Sequence, residues 1–275
     1  MRTAFLGTSP WAATVLERLA ATEHRPALVV TRPDRPAGRG RRVQAPPVAD
    51  AARRLGLELD QPASVNGDEA RARIAAAEPE AVIVCAFGAL IKEPLLSEHE
   101  ILNVHPSLLP RWRGAAPVER AIMAGDEETG VCIIRLTAGL DAGPVCLQER
   151  EPIRPDDTYG SLAPRLAELG ARLLIRALDE RPPFREQPED GVTYAEKLGP
   201  EDRTLDPAAP AADRERVVRA LHPHIGARVR LDDGSFLGVL RARATPEGEL
   251  ELLEVQPPGG RAMSYADYLR GRARS

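Results

Sequence analysis

The chain has 275 residues, of which 43% are hydrophobic and 28% charged, and its formal net charge is −4. That length accommodates two domains, or one large α/β domain with an appendage. The acidic balance excludes a protein that is basic throughout, and no apolar run approaches the ~20 residues that span a bilayer. Met1 to Gly7 lacks the charged segment and apolar core of a signal peptide, so a cytoplasmic protein with no membrane association is expected.

Ala4 to Leu6 reads as a first strand, ended by Gly7-Thr8-Ser9-Pro10, and Trp11 to Ala21 follows with apolar residues at helical spacing. Ala27 to Thr31 is a second, buried strand. Thr31 to Arg42 then places five arginines against one aspartate, a local phosphate-binding patch on an otherwise acidic chain. Val48 to Leu55 and Asp68 to Ala77 read as helices, and Ala81 to Ala86 as a strand without polar alternation, as expected where both sheet faces are covered. Leu90 to Leu96 is a short helix candidate, Ile101 to Val104 a strand, and Ala115 to Ala124 a helix. Val131 to Leu136 and Val145 to Glu149 are strands, and a long helix from Tyr159 to Leu178 is expected to kink or restart at Pro164. This rhythm predicts an α/β fold, a Rossmann-like, mostly parallel sheet with helices on both faces.

After Pro207-Ala-Ala-Pro210 the pattern changes to a short helix, Arg214 to Leu221, and close-set strands at 227–231, 236–242 and 250–255. These suggest a small β-barrel-like (OB-like) C-terminal domain. The expected division is 1–190 catalytic, 191–210 linker, and 211–275 a small β-rich domain.

Three residues carry the chemistry. Asn103 can donate a hydrogen bond to a developing oxyanion, His105 can relay a proton, and Asp141 can orient and charge-stabilise the imidazole. His105 follows directly on a strand, as Phe87-Gly88 does, at the carboxyl edge where open parallel sheets bind ligands. On the residues alone the set serves acyl transfer and could also serve hydrolysis. Ser107 as a hydrolytic nucleophile is disfavoured, because it lacks a G-x-S-x-G elbow and precedes an apolar Leu-Leu-Pro.

Several other features have plainer readings. No G-x-G-x-x-G or G-x-x-x-x-G-K-[ST] occurs, so Gly7 to Pro10 reads as a tight turn. Cys85, Cys132 and Cys146 have no paired spacing and are expected to be small buried hydrophobes. His222-Pro-His224 has no further ligands nearby, and His24 and His99 look like surface residues. No metal is expected.

Asn103-Val-His105-Pro-Ser107-Leu-Leu-Pro110-Arg-Trp-Arg-Gly114-Ala-Ala-Pro117, with Gly125-Asp-Glu-Glu-Thr-Gly130-Val and Leu140-Asp141-Ala-Gly143, resembles the signature of formyltransferases that use 10-formyltetrahydrofolate. Arg32-Pro-Asp-Arg-Pro-Ala-Gly38-Arg39-Gly40 and Val192-Thr-Tyr-Ala-Glu-Lys197-Leu are similar to the branch of that family that acts on charged initiator tRNA. The resemblance implies that Asn103, His105 and Asp141 are catalytic. It implies that Phe87, Gly88, Leu90, Ile91, Ser107, Leu108, Leu109, Pro110, Thr137 and Leu140 form the folate site. An apolar slot edged by backbone polar groups suits a flat heteroaromatic ring. Leu109–Pro110 is a candidate cis bond.

The resemblance also implies that Arg35, Gly38, Arg39, Arg41 and Arg42 bind tRNA, on a loop whose glycines are expected to leave it mobile without RNA. The expected reaction moves a formyl group from 10-formyltetrahydrofolate to the α-amine of methionyl-initiator tRNA, releasing tetrahydrofolate, in a monomer. The alternatives are a formyltransferase for an amino-sugar nucleotide, or a non-catalytic tRNA- or folate-binding module.

Overall fold

A computed structural model describes residues 1–37 and 42–272. In chain order the elements begin β1 (Thr3–Gly7), α1 (Pro10–Ala20), β2 (Pro26–Val30), β3 (Arg35–Ala37), β4 (Arg42–Gln44), α2 (Pro47–Leu55), β5 (Leu59–Asp60) and α3 (Asp68–Ala76). They continue β6 (Ala81–Cys85), α4 (Leu95–Glu98), β7 (Ile101–His105), β8 (Arg113–Gly114), α5 (Pro117–Ala124), β9 (Glu128–Arg135), β10 (Val145–Pro152) and α6 (Tyr159–Glu180). Last come β11 (Tyr194–Ala195), α7 (Ala211–Leu221), β12 (Ala227–Arg230), β13 (Phe236–Ala244), β14 (Leu250–Gln256), β15 (Met263–Ser264) and α8 (Tyr265–Arg272).

Two compact units result. The first comprises Met1–Arg113, Gly130–Glu151 and Pro164–Thr193; the second comprises Gly114–Thr129, Pro152–Ala163 and Tyr194–Ser275. No helix among the described residues is long and apolar enough to cross a membrane.

The first unit is organised by a seven-stranded sheet in the order β10-β9-β7-β6-β1-β2-β5. β1 pairs in parallel with both β2 and β6, and β6 with β7, whereas β9 runs antiparallel to β7. Ala4, Leu6, Val82, Val84, Leu28 and Val30 turn to one face, where Ile74 of α3 and Leu95 cover them. The intervening Phe5, Ile83 and Val29 are equally buried, so both faces are covered. α6 approaches β7 closely at Gly170, where a Cβ would lie 2.9 Å from Val104 Cγ1.

The turn after β1 shows how local chemistry sets the strand's edge. Ser9 Oγ accepts from Ala12 N at 3.2 Å and caps α1, whose first turn holds Pro10. Thr8 Oγ1 donates to Phe87 O at 2.7 Å, tying this turn to the loop after β6. The tight-turn reading therefore accounts for Gly7 to Pro10.

In the second unit β12, β13, β14 and β15 form an antiparallel sheet in that order. Its core gathers Leu205, Val218, Leu221, Ala227 and Val239. His224 pairs with Glu119 at 2.9 Å and stacks on Tyr159 at 3.7 Å between ring centroids.

Some local expectations differ from the structure. Only Leu95–Glu98 is helical in the stretch expected as helix from Leu90, because Asn66 holds the preceding loop through Leu90 O and Lys92 N, both at 2.9 Å. α6 runs through Pro164 as one helix. His24 is buried, not superficial, with Nε2 at 2.7 Å from Asp179 Oδ1. The flanks of the arginine-rich loop pair as a hairpin, Arg35 opposite Gln44 and Pro36 opposite Val43, an element the sequence did not announce. Gly38, Arg39 and Arg41 lie outside the described residues.

Candidate functional site

Asn103 and His105 stand two residues apart on β7, so their side chains leave the same face of the sheet. Both lie at its carboxyl end, with Asn103 in register with Ile134 and His105 with Cys132 on β9. The loop between β9 and β10 returns to this edge and brings in Asp141. Asn103 Nδ2 donates to Asp141 Oδ1 at 3.2 Å, and His105 Nδ1 lies 3.6 Å from Asp141 Oδ2. The three residues are 9%, 4% and 9% exposed, in the order Asn103, His105, Asp141, so the cluster is nearly dry.

The other ring nitrogen fixes the tautomer. His105 Nε2 lies 2.9 Å from Trp112 O, and a carbonyl only accepts, so Nε2 carries the hydrogen. In the neutral ring Nδ1 is then the basic nitrogen, and it faces the Asp141 carboxylate. Protonation there creates an imidazolium satisfied on both sides, by a carbonyl and by a carboxylate.

Two strained backbone positions hold these partners. Asp141 has φ 45° and Trp112 φ 64°, in the left-handed region that costs a non-glycine residue ~1–2 kcal/mol. Such conformations persist where hydrogen bonds over-determine them. Trp112 N donates to Thr193 Oγ1 at 2.9 Å, Arg113 N donates to Thr193 O at 2.9 Å, and Thr193 N donates to Pro110 O at 3.3 Å. Asp141 O and Gly143 O each accept from Gln187 Nε2 at 2.7 Å. Gly143 admits no side chain, since a Cβ there would sit 1.8 Å from Arg135 O.

Ser107 is fully buried, and its Oγ donates to Arg111 O at 2.7 Å, while its own carbonyl lies 3.0 Å from Cys132 Sγ. It braces the turn after β7. The Leu109–Pro110 bond is cis, as the sequence suggested. Leu109 packs with Cys132, Ile134 and Val145, and Gln148 Nε2 donates to Leu109 O at 3.1 Å.

The remaining residues proposed for folate differ in burial. Phe87 and Ile91 belong to the core beneath the loop after β6, while Leu90 and Leu140 are 67% and 58% exposed. Gly88 turns that loop with φ 72°, Leu108 and Pro110 are half-buried, and Thr137 is exposed. Of the residues proposed for tRNA, Arg35 is exposed on β3 and Arg42 lies on β4.

Trp112, Thr193, Arg113 and Gln187 were not foreseen as site residues. The first three sit inside stretches that carry the family resemblance, but their work is done through backbone groups or through another side chain. Gln187 lies in a Pro- and Glu-rich stretch with no period to mark it.

Cys85 and Cys132 are buried as expected, whereas Cys146 is only half-buried, and desolvation shifts all three thiols in one direction. Cys132 is pushed up to about 11 by burial, which outweighs hydrogen bonds from Leu109 N and Gln148. Cys146 is pushed up to about 11 and Cys85 well above its ordinary value, again by burial, so none is a thiolate nucleophile near neutrality.

A mostly parallel sheet with an amide, an imidazole and a carboxylate converging at its carboxyl edge has the groups that an acyl-transfer site needs. The family model described as formyl transferase matches residues 1–178. The chain is 43% identical over 302 residues to a methionyl-tRNA formyltransferase of Halorhodospira halophila, with 98% of this chain and 96% of that one covered. To the enzyme of that name from Ruegeria pomeroyi it is 42% identical over 292 residues, with 98% and 97% covered. It belongs to the methionyl-tRNA formyltransferase family. In fold it resembles the methionyl-tRNA formyltransferase from Clostridium thermocellum, with a TM-score of 0.65 at 14% identity, covering 96% of this chain and 99% of that one. HypX from Aquifex aeolicus in complex with tetrahydrofolic acid gives a TM-score of 0.65 at 18% identity, covering 98% of this chain and 47% of that one.

Proposed function

We propose that this chain transfers a formyl group from 10-formyltetrahydrofolate to the α-amine of methionyl-initiator tRNA, and that Asn103, His105 and Asp141 perform the transfer. The observation that carries the reading is the convergence of these three side chains in one buried cluster. Identity above 40% over nearly the whole length of relatives with this activity in their names supports the choice of acceptor.

The amine nitrogen attacks the formyl carbon and forms a C–N bond, and the carbonyl electrons move to oxygen. An asparagine amide has two N–H donors, and one of Asn103's is spent on Asp141, so the second meets the oxyanion. His105 Nδ1 takes the proton that the attacking amine loses, and the imidazolium so formed is stabilised by Asp141. Collapse of the intermediate breaks the bond to the folate nitrogen, which receives that proton and leaves as tetrahydrofolate. The balance needs no other reactant.

The folate ring lies between the Phe87–Ile91 and Thr137–Asp141 loops, against Leu108, Leu109 and Pro110, while Ser107, fully buried, supports that turn from beneath. Leu90 and Leu140, one exposed on each of these loops, are apolar surface of the kind a flat ligand covers. Residues 1–190 carry the chemistry, and 211–275 together with the arginine-rich hairpin contact tRNA. The hairpin favours tRNA over an amino-sugar nucleotide, which offers too few phosphates to need it.

The test is formylation of charged methionyl-initiator tRNA beside uncharged tRNA and an amino-sugar nucleotide, each with 10-formyltetrahydrofolate. Product on the charged tRNA alone is expected, and product on the sugar alone would replace this reading with the other.

A further inference from the structure

We propose that Gln187 is a positioning residue for the transfer, one that holds Asp141 in register with Asn103 and His105; the proposal rests on the function given above. Its amide is used at every position. Nε2 donates to Asp141 O and to Gly143 O, both at 2.7 Å, and Oε1 accepts from Arg113 Nε at 3.0 Å and Arg113 Nη2 at 2.7 Å. Because a guanidinium only donates and a carbonyl only accepts, the amide can face just one way.

The segment that carries it is itself anchored. Arg185 exchanges backbone hydrogen bonds with Val145 at 2.8 and 2.9 Å, at the start of the strand that follows the Asp141 loop. From Arg185 to Asp190 only Gln187 is not exposed. The run therefore delivers one side chain to the loop and leaves the others in solvent.

What that side chain grips is the strained point of the site. The two carbonyls it binds bracket Ala142 and fix the turn in which Asp141 takes φ 45°. With the turn fixed, the carboxylate divides between Asn103 on one oxygen and His105 on the other. Released from Gln187, the turn can relax toward negative φ and swing the carboxylate away from both. The hydrogen bonds of Gln187 go to backbone carbonyls and to Arg113, so it acts on the catalytic side chains through the backbone.

Gln187→Met keeps length and volume without the N–H donors, and Gln187→Glu keeps two acceptors for Arg113 while losing both donors. Each full-length variant is assayed by single-turnover formylation of methionyl-tRNA at saturating folate donor, alone and combined with Asp141→Ala, beside the unaltered chain. An unaltered chain that leaves charged tRNA unformylated overturns the function itself, and the role of Gln187 with it.

Given an active parent, both variants are expected to slow turnover by about ten- to a hundredfold, the scale of a small misplacement. In the Asp141→Ala background they should slow it by less than about threefold further, since residues acting as a unit are not additive. Equal slowing in both backgrounds, or none in either, overturns the positioning role and leaves the function standing. So does thermal unfolding of both variants below the assay temperature, which would make Gln187 a stabilising residue only.

Discussion

Asn103 donates to the carboxylate of Asp141 at 3.2 Å although 38 residues of chain separate them. The bond joins a strand residue to a loop residue, and it leaves the other carboxylate oxygen 3.6 Å from His105 Nδ1. Asp141 is thus shared between the group that stabilises negative charge and the group that accepts a proton. Replacing any of the three disturbs the other two.

Asn103→Ala removes an oxyanion donor, and such losses cost about 10²–10³ in turnover. His105→Ala removes the proton relay and should cost at least as much, while folate binding survives in both because the proposed slot lies on other loops. Rapid-quench turnover and folate titration measure the two effects separately. Turnover near that of the unaltered chain in either variant would remove these residues from the mechanism.

The strand carrying Asn103 and His105 was legible because an apolar strand with polar residues two apart at its end places both on one face. Asp141 had no comparable local signal. Its place depends on how far the turn between β9 and β10 reaches back, which no periodicity encodes, and it was picked out for its chemistry and by the family resemblance rather than by spacing. Gln187 and Thr193 were illegible for a further reason: one acts on backbone carbonyls, the other on backbone N–H groups, and such contacts leave no spacing in the sequence. His24 was misread because polar neighbours suggest a surface, whereas a partner 155 residues away, Asp179, allows the ring to be buried.

Gly143→Ala tests whether the Asp141 turn needs its close approach. A Cβ at 1.8 Å from Arg135 O cannot be accommodated by a side-chain movement, because the obstacle is backbone. The turn must shift, carrying Asp141 with it. The expected result is a loss of turnover of about a hundredfold or more, on the scale that misplaced catalytic groups show. A variant with unaltered turnover would mean that Asp141 need not be held where it lies.

The buried and half-buried thiols make stability fall at alkaline pH. Cys132 and Cys146 lie at about 11 in the folded chain against an ordinary 9.0, both chiefly through burial. Below pH 9 the thiols are protonated in folded and unfolded chains alike, and the stabilisation is complete. Between 9 and 11 the unfolded chain's thiols ionise first and draw the equilibrium toward it. Tyr159, pushed up to about 12 by burial and by Glu119, acts in the same direction from pH 10 upward. Thermal melts should therefore drop in midpoint from pH 9 to 11, with a shallower drop in Cys132→Ala. An equally steep drop in that variant would show that its burial does not govern the ionisation.

The arginine-rich hairpin makes the acceptor's affinity depend on salt. Arg35 is exposed on the described flank, and Arg39 and Arg41 follow it in sequence toward Arg42. Each phosphate contact releases condensed counterions, so the logarithm of affinity falls with the logarithm of salt concentration by about 0.7–0.9 per contact. Arg35→Ala with Arg39→Ala should raise KM for methionyl-tRNA, and it should flatten the salt dependence by about one to two units of slope. Affinity for the folate donor should stay unchanged, because the Phe87–Ile91 loop is held through Thr8, Arg32 and Asn66, none of which is substituted. A variant whose folate affinity falls while its salt slope for tRNA stays the same would move the hairpin from the acceptor side of the reaction to the donor side.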